Sequence, residues 1–347
     1  MLGLIGLVAM HFAARHGLVA IRALTPVLLV AAFGLTIAVM LPGIGVTVNG
    51  ATRWLGAGPF QFQPSEPLKL TLVLYAAQLL AARPQSTRSV GGLVKPLLLV
   101  VGAACLLLMK QPDMGTTMVI CFAIGALLLA AGTPLRILAT IGGVLAALAT
   151  IMALVEPYRR ERLTSFLDPF SDAGDSGFQA VQALTAIGSG GFFGVGLGES
   201  VQKIFYLPEA HTDMILAIIG EELGLVGILG VVVLYGMIGY AGLRTAKLAR
   251  DLYSKLLAAG ITSLILSQAT LNFFAVLGMA PLTGVPLPFL SYGSSNLIVL
   301  LAAMGLLLNV AASGGRAARG AAKPRLEAIP GGGATRPARA PRAARAR

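Results

Sequence analysis

The chain has 347 residues, 56% hydrophobic and only 12% charged, with 26 Lys/Arg against 14 Asp/Glu for a formal net charge of +12. Unbroken apolar runs recur from end to end, which excludes a soluble globular enzyme and a membrane barrel built from short alternating segments. Two cysteines and three histidines supply neither a disulfide framework nor a His/Cys cluster for a tight transition-metal site.

A membrane span needs about 20 apolar residues, and such runs fall near 23 to 41, 67 to 82, 90 to 109, 114 to 131, 135 to 155, 213 to 242, 256 to 278 and 294 to 313. Each is expected to be helical, because backbone polar groups in lipid have to be satisfied within their own segment. With the apolar opening MLGLIGLVAM they make nine apolar segments of an all-α polytopic membrane protein. Placing successive loops on alternate sides puts 19 of the 26 Lys/Arg on the side holding the C-terminus and leaves Arg53, Lys69, Lys110, Arg159, Arg160, Arg162 and Lys203 on the other. Short loops rich in Lys/Arg stay cytoplasmic, so the C-terminus is expected inside. The same division puts 12 of the 14 Asp/Glu on the outer side, where the chemistry is therefore expected.

His11, Arg15 and His16 arrive after only ten apolar residues, half a span. No basic n-region or clear cleavage site marks a signal peptide, so the start is expected to lie inside a helix whose upstream residues, with a further span, are missing. Arg15 and Arg22 make the first inner loop. Residues 42 to 70, PGIGVTVNGATRWLGAGPFQFQPSEPLKL, are expected to form a turn-rich outer loop with Trp54 as an interfacial anchor. Ser65, Glu66 and Pro67 suit a helix start and leave Lys69 just below the outer surface, where a lysine snorkels or serves function. In the short QPDMG turn, Lys110 and Asp113 are expected to pair with each other or to cap the next helix. Cys105 and Cys121 fall inside spans and read as small core residues.

Residues 156 to 212 form the longest outer segment, with a helix expected near Gly177 to Ile187. The glycines from 188 to 198 follow no strand and precede no GK[ST], so they read as flexibility or close helix approach rather than a nucleotide cradle. Next comes YLPEAHTDMILAIIGEELG, residues 206 to 224, in which Thr212 or Asp213 suits an N-cap. Gly220 and Gly224 share a face with Asp213 in a regular helix, giving a smooth surface beneath it. Glu221 and Glu222 would lie about 12 Å deeper, on different faces. Ionisable groups at membrane depth cost about 2.5 to 3.5 kcal/mol, so they are paired, line a wet cavity or are functional. The turn MAPLTGVPLPFLSYGSSN, residues 279 to 296, carries three prolines that forbid a regular helix, and such backbone is tolerated in a membrane only against protein or a cavity. Residues 1–313 thus form one transmembrane domain. Residues 314–347 are expected to be a disordered basic tail that touches anionic lipid, and nucleic acid is not expected as a partner.

NGATRW at 49 to 54, QPSEPLKL at 63 to 70, QPDMGT at 111 to 116, SGGFFGVGLGESVQKIFYLPEAHTDMILAIIGEELGLVG at 189 to 227 and PLTGVPLPFLSYGSSN at 281 to 296 closely resemble the SEDS family, the FtsW/RodA group of bacterial cell-wall proteins. The resemblance implies a ten-helix bundle with both ends cytoplasmic, a large outer loop before the eighth family helix, and a chain that begins within the second helix. YLPEAHTD and GESVQK look more like the division branch than the elongation branch. Phe205 stands where some division-type members have a glutamate, and SYGSS stands where SYGGS is common, with Ser294 the changed residue.

The resemblance further implies polymerisation of lipid II into peptidoglycan glycan strands at the outer face of the bacterial cytoplasmic membrane. Its expected partners are a class B penicillin-binding protein that supplies transpeptidation and other divisome or elongasome membrane proteins. The family's essential outer aspartate maps to Asp213, expected to act as general base. The leaving pyrophosphate needs cations, for which Arg53, Lys69 and Lys110 are nominated, with a divalent ion, magnesium or manganese, as the cofactor to consider. Asp113, Glu66, His211 and Ser291 complete the expected substrate-binding set. Two rival readings are a lipid II flippase using Glu221 or Glu222 as proton-coupled acids, and a non-catalytic scaffold for the penicillin-binding protein. The sequence displays neither an inverted repeat nor a matched pair of broken helices, features that many transporters carry.

Overall fold

The computed structural model describes residues 2–48, 50–57, 60–155, 166, 168–170, 177–204 and 206–321. Helices dominate, as composition requires. Among the described residues five are long and apolar enough to cross a membrane: Leu18–Ala38, Val90–Lys110, Ile215–Lys247, Leu252–Val276 and Ser294–Gly314. Gly3–Arg15, Met114–Ala130 and Leu135–Ile151 are shorter apolar helices.

Helix α1, Leu2–Ala38, contains the first two of these apolar stretches, Gly3–Arg15 and Leu18–Ala38. Their contacts run in opposite senses. Gly6 packs on Leu301 while Asn309 donates to the carbonyls of Ala13 (3.2 Å) and Ala14 (2.7 Å), so the first stretch descends alongside the last helix. Arg22 then lies 5.0 Å from the ring centre of Tyr253, and Thr36 O accepts from Gln111 Nε2 at 2.7 Å back at the opposite end. The chain therefore reverses near Arg15 to Arg22, as the charges there require.

The loop expected over residues 42 to 70 is instead ordered as a three-stranded antiparallel sheet, β1 Gly45–Val48, β2 Ala51–Ala57 and β3 Phe60–Phe62. Val48 faces Ala51 across a two-residue connection that ends in Gly50 at φ 76°, the geometry of a tight hairpin. The Asn-Gly pair flanked by alternating residues was the available signal.

Helix α2, Ser65–Ala82, follows at once. Helix α3, Val90–Lys110, contains a π-helical stretch at Val94–Leu98 around Pro96, whose missing N–H loosens the ladder. The Pro96 carbonyl accepts instead from the Tyr75 hydroxyl. Helices α4, Met114–Ala130, and α5, Leu135–Val155, come next, then α6, Phe178–Gly190, which covers the helix expected near Gly177 to Ile187. Helices α7, Ile215–Lys247, α8, Leu252–Val276, and α9, Ser294–Ala321, complete the set. Helix α9 continues past Ser313, where the composition changes, and residues 322–347 lie outside the described residues, as does Phe205.

Helix α8 is the axis of the bundle, buried along most of its length. Small residues allow this. A Cβ on Gly260 would sit 2.6 Å from both Val73 of α2 and Leu127 of α4, so only glycine lets the three helices meet there. Arg83, Arg88, Lys95, Arg244, Lys247, Arg250 and Lys255 gather at one end of the bundle, called here the basic end. The sheet, the starts of α2 and α4, and the connection before α9 meet at the other, the site end.

Helix α7 is not the smooth rod that its glycine pattern predicts. Gly224 adopts φ 66°, ψ −161°, and the helix breaks there. A Cβ on Gly220 would lie 3.1 Å from Ile228, eight residues on, whereas a straight helix separates such positions by about 12 Å. The backbone groups freed by the break are taken up by the glycine-rich loop after α6. Val195 N donates to Glu221 O (3.0 Å) and Gly196 N to Glu222 O (3.1 Å), while Leu225 N donates to Gly191 O (3.0 Å) and Val226 N to Phe192 O (3.3 Å). Those glycines therefore serve close approach, since a Cβ on Gly190 or Gly194 would collide with the α7 backbone. Glu221 and Glu222 precede the break, so it is the smooth face expected through Gly224 that fails, not their count from Asp213.

Candidate functional site

Glu66 and Lys69 of α2 and Gln268 and Asn272 of α8 are buried at the site end. Lys69 and Glu66, one turn apart on α2, form an ion pair of 2.9 Å with both side chains only 3% exposed. Lys69 Nζ also donates to Gln268 Oε1 of α8 at 2.9 Å. Two partners offset part of the desolvation that a membrane-buried ammonium pays. Lys69 neither snorkels nor stands free. Glu66 Oε2 is left buried without a hydrogen-bond partner.

Gln268 passes the connection onward. Its Nε2 donates to Pro286 O (2.9 Å) and Asn296 Oδ1 (3.3 Å). One helical turn further on, Asn272 donates through Nδ2 to Asp213 O (2.7 Å) and Val285 O (2.8 Å). Two stacked amides of α8 thus clasp both the Asp213 turn and the proline-rich connection. The signal for them was a pair of amides at i, i+4 inside an apolar span, and sequence reasoning passed over it.

The connection between α8 and α9 has carbonyls that need partners because its prolines break every regular ladder. Besides the two amides, the Ser291 hydroxyl accepts from Leu287 N at 2.6 Å, which makes Ser291 a buried turn-former. Tyr292 N donates to His211 O at 2.9 Å, and their rings are 5.9 Å apart. His211 is exposed and ties the two segments together through its main chain. Ser294 and Ser295 bond to Gln61 O and Gln63 N, docking β3 against the start of α9.

Asp213 lies in the turns that precede α7. The expected cap is not made: α7 starts at Ile215, Met214 occupies the N-cap position, and no side chain caps it. The turn closes through Glu209 O instead, which accepts from Thr212 N (3.1 Å) and Met214 N (3.2 Å). Asp213 Oδ1 accepts from the Thr212 hydroxyl at 3.2 Å. Oδ2 faces Gly284, where a Cβ would lie 3.7 Å away and φ is 65°. The carboxylate, half-buried, thus lies over backbone at the site end.

The 110–113 turn separates its two charged residues. Asp113 caps α4 by accepting from Thr116 N at 3.2 Å, and it is buried. Lys110 is exposed and lines a cavity of about 470 Å³ with Met40, Thr47, Thr52 and Gln111. Arg53 reaches from β2 to donate through Nε to Gln111 O at 2.9 Å and through Nη2 to Pro112 O. Two of its five N–H donors are so used, and the guanidinium is fixed in direction. Arg53 and Lys110 therefore share one corner, whereas Lys69 sits in the buried network.

The acids of α7 have a different setting. Glu221 is buried and accepts from Ser200 Oγ (2.5 Å), Val201 N (3.0 Å) and Gln202 N. Glu222 pairs with Lys203 at 2.7 Å. Both are occupied in holding the 198–203 turn against the broken helix.

The sequence profile of the family described as "Cell cycle protein", which groups FtsW, RodA and SpoVE, matches residues 1–315. A probable peptidoglycan glycosyltransferase FtsW of Thioalkalivibrio sulfidiphilus is 47% identical over 311 residues, 88% of this chain and 77% of that protein. Stage V sporulation protein E of Bacillus subtilis is 41% identical over 308 residues, 88% of this chain and 84% of the relative. Among solved structures, a peptidoglycan synthase complex that coordinates polymerization and crosslinking contains a chain superposing with TM-score 0.75 at 30% identity, covering 89% of this chain and 87% of that one. The rod shape determining protein RodA of Thermus thermophilus superposes with TM-score 0.64 at 29% identity, covering 90% and 85%. The buried clasp, the aspartate above it and these likenesses place the chain in one group: it belongs to the FtsW/RodA/SpoVE family of multi-pass membrane proteins.

Proposed function

We propose that the protein polymerises lipid II into peptidoglycan glycan strands, with Asp213 as the general base. The observation that carries this reading is the Asp213 carboxylate over Gly284, its main chain clasped by Asn272 at the end of the bundle opposite the basic loops. Basic loops stay cytoplasmic, so the reading puts the C-terminus inside and the site outward, where a lipid-linked sugar headgroup lies.

In the reaction, Asp213 removes the proton from a sugar hydroxyl of one lipid-linked disaccharide. That oxygen bonds to the anomeric carbon of the second, whose bond to the lipid pyrophosphate breaks with inversion. A base fits this role when it reaches within about 2.6 to 3.2 Å of the hydroxyl in the bound state. Arg53 and Lys110, at one corner of the site end, are the cations nominated for the leaving pyrophosphate. Lys69, already paired with Glu66, orders the site instead.

Among the described residues no three His, Cys, Asp or Glu converge, so the donor set does not fit a protein-held metal, and no step is routed through one. We assign any magnesium or manganese to the substrate's pyrophosphate. The partner proposed is a class B penicillin-binding protein, consistent with the polymerization and crosslinking named for the similar complex.

The broken helix α7 favours a second reading, since transporters build sites on discontinuous helices. Against lipid II transport, Glu221 and Glu222 are both consumed by the 198–203 turn. Purified protein with its candidate partner is incubated with labelled lipid II, as wild type and as Asp213→Asn. Polymer from wild type alone supports the base. Equal polymer from both removes Asp213 from the mechanism, and inert preparations that still move lipid II across vesicles make the protein a flippase.

A further inference from the structure

The loop that repairs the break in α7 turns a hydrophobic surface outward. Phe193 is 79% exposed and Leu197 76%, and Phe192, Val201, Ile204 and Tyr206 are each more than half exposed. On a water-facing loop, so contiguous an apolar run is unusual. The loop's place along α7 explains it. From Leu225 to Lys247 the helix has 23 residues, about 34 Å at 1.5 Å per residue, enough to cross a hydrocarbon core of about 30 Å by itself. Arg244 and Lys247 mark its basic end, so Gly224 sits near the opposite boundary of the core.

The loop is bonded to α7 at that level, through Gly191 O to Leu225 N and Phe192 O to Val226 N. Its apolar surface is thereby continuous with Leu225, Val226 and Leu229, which α7 exposes on the first turns beyond the break. The charged groups at this depth have hydrogen-bonding partners. Glu221 is enclosed by Ser200 and main-chain N–H groups, and Lys203 bonds to Glu222 and to Gly198 O. Glu199 is the exposed acid of the segment and sets its headgroup edge, and Tyr206 has the amphipathic ring that suits an interface.

We propose that residues 192–204 and Tyr206 are inserted into the upper part of the leaflet on the Asp213 side, with lipid acyl chains covering Phe192, Phe193 and Leu197. The segment is then a shallow wedge that fixes the height of the broken helix, and of the Asp213 turn before it, relative to the bilayer surface. Interfacial segments of this kind reach about 5 to 10 Å into the headgroup and acyl boundary. The proposal does not depend on glycosyl transfer.

The chain has one tryptophan, Trp54, so a Trp54→Phe background leaves a single reporter in F193W or L197W. Each full-length variant, first shown to elute and melt like wild type, is placed in phosphatidylethanolamine and phosphatidylglycerol vesicles carrying bromine near the headgroup end or the terminus of the acyl chain. The wedge requires that both reporters lose most of their emission to the headgroup-end bromines, less to the terminal ones, and little to aqueous iodide. Quenching by iodide with indifference to brominated lipid would overturn it in favour of a solvated loop. Protection from brominated lipid on adding a class B penicillin-binding protein would also overturn it, by making the surface a protein interface.

Discussion

Two helices carry adjacent charges inside an apolar bundle, and they use them in opposite ways. On α2, Glu66 and Lys69 pair with each other and with Gln268 of α8, one turn from Asn272, which holds the main chain of Asp213. On α7, Glu221 and Glu222 are spent on one nearby turn, through Ser200, Val201 and Lys203. The first set spans α2, α8 and the connection before α9. The second is local. Burial alone does not mark a group as part of the site, because Glu221 is as buried as Glu66. What separates them is which segments their hydrogen bonds join.

The comparison breaks most sharply at Asp213. Asp213→Asn keeps the size and removes the base, so polymer formation should fall by about 10²- to 10⁴-fold with an unchanged melting temperature. The rate of polymer appearance from labelled lipid II measures it. A loss of stability of similar weight would instead class Asp213 with the structural acids.

Lys69→Ala should produce the largest stability change. It leaves Glu66 buried without its partner, and removing one member of a buried pair costs about 3 to 5 kcal/mol. Thermal unfolding in detergent reads this out. The double variant Glu66→Gln with Lys69→Met should recover much of the loss, since no charge is then left uncompensated. Recovery of stability without recovery of polymer would show that the pair also orders the site.

Gly224→Ala tests the other region. A Cβ there would lie 2.5 Å from Phe192 O at a φ of 66°, so the variant should destabilise by more than about 1 kcal/mol. Exchange protection of Leu225 and Val226 amides should fall with it, because their acceptors lie in the displaced loop. Unchanged protection would mean that the break persists without the loop.

Much of this arrangement was legible in the residues. Apolar runs and basic loops gave the bundle and its reversal near Arg15 to Arg22, and the ordered motifs from Arg53 to Ser291 gave the family. The hairpin was missed because Gly and Pro around it were weighed as loop composition, although alternation and the Asn-Gly pair outrank composition there. Periodicity gave a smooth face through Gly220 and Gly224 that stops at the second of them, because Gly224 itself leaves helical space and resets every angle beyond it. The Gln268 and Asn272 clasp was hidden for another reason. Two amides in an apolar span have no charge to betray them, and their role follows only from the carbonyls that Pro286 and its neighbours leave without regular partners.

The smallest expected effect is the most discriminating between enzyme and transporter. Glu222→Gln removes an ion pair whose partner Lys203 is 35% exposed, and such pairs contribute about 0.2 to 1 kcal/mol. The glutamine can still accept from Lys203, so both melting temperature and polymer yield should stay close to wild type. A proton-coupled carrier with Glu222 as its acid would lose transport when that group can no longer titrate. The same variant, assayed in vesicles for lipid II movement and in detergent for polymer, therefore pulls the two readings apart. Intact polymer beside intact stability leaves Glu222 as a brace for the 198–203 turn and leaves the chemistry to Asp213.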